Sequence, residues 1–294
     1  MEHFLQLFIF GIQLGVIYAL IAMGYTMVYG ILRLINFAHG DLVMIGAFSA
    51  YFVGQSPNGG FLQAMLVAMI VPAIISVAIE RFAYRPLRKR PRLSVLITAI
   101  GVSIFLENLP RMIPVIGPDY RPFPQFIEFK EFAIYGNAMV NSIQITNVMA
   151  SAILLLIMLG IVRFTNIGRA MRAVSFDKDA SALMGINVNR TIAFTFFVGA
   201  ALAGAGGVLY SLTYPMIDVL MGIWLGTKAF VAAVLGGIGS IPGAVLGGLL
   251  MGLVEVFATA AYSELGYGVG FVVLIVVLLF RPEGLMGKPT IEKV

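Results

Sequence analysis

The chain has 294 residues, 60% hydrophobic and 11% charged, with a mean hydropathy of +0.98. Soluble domains carry about 25% charged residues, so the composition excludes a soluble globular protein and indicates an integral membrane protein. There is no cysteine and there are two histidines, His3 and His39, which excludes disulfides, thiolate chemistry and Cys- or His-rich metal cages.

The net charge of +5 is unevenly spread. Residues 81–92 hold six basic side chains and no acid, residues 163–190 hold five, and the tail from Arg281 adds three, so these segments contain 14 of the 19 Lys and Arg. Basic runs beside apolar spans are a topology signal, so all three segments, and the C-terminus, are expected in the cytoplasm. The same geometry argues against nucleic acid as a partner.

In chain order, Met1-Glu2-His3 lacks the basic region and cleavage site of a removable signal, and residues 4–32 read as a retained first span. The stretch Leu34-Ile35-Asn36-Phe37-Ala38-His39-Gly40-Asp41 then places an amide, an imidazole and a carboxylate within six residues, between two charge-free apolar runs. Such groups are costly in hydrocarbon and tolerated where they face protein or a water-filled cavity. Two readings stay open: a deliberate helix break lining a pathway, or a plain cytoplasmic turn. On the first, Asn36, His39 and Asp41 are the polar candidates for the path, and Met44, Phe48 and the small residues of 199–207 the apolar ones.

Residues 42–54 are short for a full crossing and 61–79 form the next span, with Pro72 expected to bend it. After the basic loop, a span begins at 93. Residues 111–140, with four prolines, read as a loop on the far side and a docking surface there. Spans follow at 141–162 and 191–217, the latter carrying the small-residue run 199–207 that suits close helix packing. Lys228 is expected at the outer edge of the next segment. Gly236-Gly237-Ile238-Gly239-Ser240-Ile241-Pro242-Gly243 reads as a tight turn between two short spans, and Glu107 and Glu255 as interfacial residues at span ends. The last crossing runs from 266 to 280. The expected fold is an all-α polytopic helical bundle with broken helices, about eight to ten transmembrane segments in one transmembrane domain spanning 1–294, with the N-terminus outside.

The loop 163–190 is too long for a simple turn. Residues 177–186 read as a short helix, with Asp177 complementing its dipole, Gly185 terminating it, and Ala180, Leu183 and Met184 on one apolar face. That face needs a partner groove, or it lies on the membrane surface.

No Ser/His/Asp set, catalytic carboxylate pair or phosphate loop is present, so no enzymatic activity and no cofactor are expected. An ion-coupled secondary carrier stays open as a rival, with Asp41, Glu107 and Glu255 as its intramembrane carboxylates.

Several motifs are similar to those of the integral permease subunit of branched-chain amino acid ABC transporters, the LivH family. They are Gly24-Tyr25-Thr26-Met27-Val28-Tyr29-Gly30, Ile35-Asn36-Phe37-Ala38-His39-Gly40, Glu80-Arg81-Phe82-Ala83-Tyr84-Arg85-Pro86, Gly168-Arg169-Ala170 with Arg172-Ala173, Leu183-Met184-Gly185-Ile186-Asn187, and the stretch from Lys228 to Gly243. They run in family order over nearly the whole chain. The resemblance implies a bacterial inner-membrane importer of Leu, Ile and Val working by alternating access. Its partners would be a second related permease, two cytoplasmic ATP-binding subunits and a periplasmic amino-acid-binding protein. It also implies that Arg169, Arg172, Asp177, Ala180, Leu183, Met184 and Gly185 couple the chain to an ATPase. The Asn-x-Ala-His-Gly motif is shared with permeases for urea and short amides, so those solutes remain an alternative.

Overall fold

The computed structural model describes residues 1–88 and 90–287. Lys89, Lys288 and Lys293, counted above among the basic residues, lie outside the described residues. The described chain is helical, with four short strands at its edges. Six helical stretches are long and apolar enough to cross a membrane. Three further helices have 16 residues each, about 24 Å at 1.5 Å per residue, and are too short for a bilayer core of about 30 Å unless other elements complete the crossing.

Helix α1 (Glu2–Leu32) is one uninterrupted helix. It stops where Arg33 turns into the left-handed region (φ 55°) and donates its N–H to the Tyr29 carbonyl at 2.7 Å. Arg33 is the one non-glycine residue with positive φ among the described residues, a conformation that costs about 1–2 kcal/mol. Residues 34–38 are non-helical, and α2 (His39–Gly54) restarts with Ala38 at its N-cap. The helix is therefore interrupted, over fewer residues than the polar stretch suggests: His39 and Asp41 belong to the first turn of α2.

Helix α3 (Phe61–Ile79) continues through a π-helical turn (Glu80–Tyr84) and a 3₁₀ turn (Arg85–Leu87). Its exposed stripe Leu62, Leu66, Ile70 and Ile74, spaced by four, is the face of a helix whose solvent is lipid. Helix α4 spans Arg92–Met112. The segment expected to be a plain loop instead holds β1 (Arg121–Pro122) and a hairpin of β2 (Glu131–Tyr135) and β3 (Ala138–Asn141), antiparallel, turning at Gly136 with φ 57°. This hairpin sits on the start of α1: Asn137 Nδ2 donates to Glu2 at 3.1 Å and the Met139 N–H to Gln6 at 3.0 Å. The N-terminus and the 111–140 segment thus share one end of the bundle.

Asn141 caps α5 (Ser142–Phe164) through a reciprocal capping box with Gln144. Helices α6 (Asn166–Phe176) and α7 (Lys178–Leu183) follow, then α8 (Val188–Thr213) and β4 (Met216–Ile217), which pairs with β1. Helix α8 is the hub. A Cβ on Gly204 would lie 1.9 Å from the Ala68 carbonyl of α3, and one on Gly207 would lie 2.3 Å from the Val43 carbonyl of α2. The run 199–207 is therefore packing surface, as its composition suggests, and its residues are buried among helices.

Helices α9 (Met221–Gly236) and α10 (Ile241–Ala261) form a tight antiparallel pair joined at Gly237 (φ 102°) and Gly239 (φ 96°). Ser240 caps α10 by accepting from the Gly243 N–H at 3.2 Å, and Pro242 sits in the first turn, where no donor is needed. Helix α11 (Leu265–Phe280) ends the apolar part. The chain then folds back, and the N–H groups of Leu285 and Met286 donate to the carbonyls of Leu235 and Gly236 at 2.9 Å.

Two charges differ from expectation. Lys228 lies within α9, not at its edge, and Glu255 lies within α10, whose helix continues past it to Ala261. Their side chains meet at 2.5 Å, with Glu255 9% exposed. Antiparallel α9 and α10 bring two residues 27 apart to the same level, so each charge is compensated by the other.

Candidate functional site

The break between α1 and α2 is fixed by neighbours far away in sequence. Asn36, buried, accepts a hydrogen bond from the Tyr84 hydroxyl at 2.6 Å, which ties the break to the π turn after α3. The Tyr84 ring leans on Phe196 of α8. His39, 1% exposed, packs edge-on against Tyr25 with ring centroids 4.4 Å apart. It fills the space a side chain on Gly24 would need, since a Cβ there would lie 2.5 Å from His39 Nε2. That nitrogen has no hydrogen-bond partner among the described residues.

Asp41 faces a cavity of about 390 Å³ between α2, α4, α9 and α11. Ser103 Oγ donates to Asp41 Oδ2 at 2.6 Å, and Glu107 Oε1 lies 3.4 Å from the same hydroxyl. Apolar Ile35, Phe37, Ile100, Phe230 and Phe271 make up much of the rest of the wall. An apolar pocket with a few convergent polar groups suits a small amphipathic solute. The close approach of Gly40 to Gly222 and Gly226 sets the α2–α9 wall of this cavity.

The path candidates divide accordingly. Asp41 lines the large cavity and Asn36 a smaller one beside Tyr84. His39 packs behind them, while Met44 and Phe48 are 1% and 3% exposed inside the helix core. The structure adds Ser103 and Glu107, which spacing alone did not connect with Asp41. The available signal was a Ser-x-x-x-Glu pair on one face of an apolar helix, four residues apart.

The end of the bundle that carries the basic segments holds a second feature. Asp177 caps α7 by accepting from the N–H groups of Asp179 and Ala180, each at 2.9 Å. The helix ends in a Schellman motif: Gly185, at φ 81°, donates to the Ala182 carbonyl, and Ile186 to the Ser181 carbonyl, each at 3.0 Å. Ser181 is the buried anchor. Ala180, Leu183 and Met184 are exposed, Leu183 at 89%, and Phe176 at the end of α6 extends the same apolar surface. Phe176 was not anticipated, because it stands outside the periodic stretch 177–186.

Arg172 donates to the Val162 carbonyl at the end of α5, and Arg169 to Asn166, so both arginines brace α6 where it leaves the bundle. Lys178 lies near Arg88 and Arg33; partial burial first, and then those guanidinium groups, hold its ammonium below the usual lysine range.

The chain matches the family model described as branched-chain amino acid transport system / permease component over residues 7–278. It is 42% identical to the high-affinity branched-chain amino acid transport system permease protein BraD of Pseudomonas aeruginosa, covering 99% of this chain and 98% of that protein. It is also 42% identical to the permease protein LivH of Escherichia coli, with the same coverage. A probable LivH of Methanocaldococcus jannaschii is 27% identical over 91% of this chain and 88% of its own length. No solved structure matches the chain. A polytopic helical protein with an apolar foot at its basic end, matched along almost its whole length, this chain belongs to the family of branched-chain amino acid transport system permease components.

Proposed function

We propose that the chain is one permease half of an ATP-driven importer of leucine, isoleucine and valine in the bacterial inner membrane. A second, related permease completes the conduit, two ATP-binding subunits drive it from the cytoplasm, and a periplasmic binding protein delivers the amino acid. The C-terminus lies on the cytoplasmic side with the basic segments. The observation that carries this reading is the exposed apolar face of α7 on a bundle end that is otherwise basic, in a chain 42% identical to permeases named for branched-chain amino acid transport. A six-residue helix capped at both ends, with Leu183 and Met184 turned outward, is built to be covered by another protein. Movement of that foot would be passed to α8 and so to the helices around the break. The cavity at Asp41 supplies a mostly apolar route with carboxylate and hydroxyl groups for the amino acid's polar end.

The test is reconstitution with all partners in proteoliposomes. Wild type should take up leucine only with ATP and binding protein. Gly185→Trp forces a bulky side chain onto a left-handed residue, at about 1–2 kcal/mol of local strain, while a Cβ there meets nothing within 4 Å. It should assemble with the other permease and lose substrate-stimulated hydrolysis. Uptake driven by an ion gradient with no ATPase present would replace this reading with a secondary carrier.

A further inference from the structure

A second cavity, of about 270 Å³, lies near the opposite end of the molecule from α7. Its walls come from the first half of α1, the end of α8 and the last turns of α10, at the end where the N-terminus meets the β2–β3 hairpin. Glu255 lines it. One carboxylate oxygen accepts from Lys228 Nζ at 2.5 Å and the other from the Tyr18 hydroxyl at 2.8 Å. A carboxylate has about four acceptor positions, so two remain. Beside it, Gln13 Nε2 donates to Thr213 Oγ1 at 2.8 Å, leaving its amide oxygen as a further acceptor.

We infer that this cavity is a receiving site for a free α-amino acid on the side away from the ATPases. The ammonium group sits on Glu255 and the Gln13 amide oxygen. The carboxylate takes the hydroxyl groups of Tyr214 and Thr259, and the aliphatic side chain lies against Phe10 and Ile17. The inference rests on the amino-acid reading of the substrate and goes beyond it by naming a recognition site distinct from the break.

Two features select the ligand class. The volume suits one small amino acid. The charge selects a zwitterion: Glu255 and Lys228 sum to zero, and a zwitterion keeps the sum at zero, so no net charge is taken out of water. An amine of the same shape adds a positive charge and a keto acid a negative one. Each then leaves an uncompensated net charge in the cavity, whereas both charged groups of the zwitterion are paired and the net charge stays at zero.

The experiment measures radiolabelled leucine binding to the full transporter in nanodiscs, without the binding protein, so that the partner's own selectivity does not enter. Valine should displace leucine, whereas 3-methylbutylamine and 4-methyl-2-oxopentanoate should each be at least tenfold weaker. The double variant Glu255→Gln with Lys228→Met, which leaves no orphaned ion, should weaken leucine binding tenfold or more. Gln13→Leu keeps the ion pair and should weaken it about fivefold, and it decides the matter should the double variant fail to assemble. Equal displacement by the amine or the keto acid, or unchanged leucine affinity in the variants, overturns the inference while ATP-dependent leucine uptake by wild type still upholds the permease reading. A wild-type complex that imports no branched-chain amino acid overturns both.

Discussion

At the scale of single residues, the break depends on a few pairings that no local pattern announces. Tyr84 and Asn36 are 48 apart in sequence and share one short, buried hydrogen bond. Tyr84→Phe leaves the Asn36 oxygen buried without its donor, which should lower stability by about 1–3 kcal/mol. Thermal unfolding in detergent reads this directly. The double variant with Asn36→Ala should cost less than the sum of the two single variants, because both then remove the same bond. His39 sits one layer behind. His39→Ala empties the space against Gly24 and Tyr25, so leucine uptake should fall severalfold although His39 itself is off the cavity wall. Unchanged uptake would return the stretch to the status of a simple turn. The sequence exposed the polar cluster 36–41, since polar groups in an apolar run stand out. It concealed Tyr84, Ser103 and Lys228, whose roles exist only once helices are packed.

Among elements, α7 was the most legible in the sequence. Asp177 at one end and Gly185 at the other are chemical stop signs, and both act as such in the structure. What the sequence could not state is how α7 is loaded electrostatically, since Arg33 and Arg88 arrive from other parts of the chain. Lys178 has a folded pKa below its unfolded one, so between those values the unfolded state binds more protons. Stability of the foot should therefore rise as pH increases through the lowered value, when the ammonium loses its charge near the two guanidinium groups. Hydrogen-exchange protection of the α7 amides should increase from neutral to alkaline pH, and Lys178→Met should flatten that response. The break was legible as a break, but its length was not. Phe37 and Ala38 look no less helical than their neighbours, and the end of α1 is set by the strained turn at Arg33.

For the molecule as a whole, class and topology followed from hydropathy and charge, because lipid forces every backbone group into internal hydrogen bonds. The packing plan did not follow, since a run of small residues does not name its neighbours. The structure gives α8 three of them, α1, α2 and α3, all at backbone contact distance. Gly204→Leu should therefore push α3 away from α8, costing about 1–3 kcal/mol or more as an overpacked core, with loss of assembled transporter on size-exclusion chromatography. The same logic explains why the pairing of Glu255 with Lys228 was not legible along the chain: one charge near the end of an apolar run does not name its partner on the adjacent helix.

The fold-back after α11 has a practical consequence. Because Leu285 and Met286 satisfy the last carbonyls of α9, a protein truncated just after Phe280 would unravel not its own new end but a helix 44 positions upstream, beside the Gly237–Ser240 turn. A reporter fused there should be preceded by the native residues through Gly287, so that the clasp is retained.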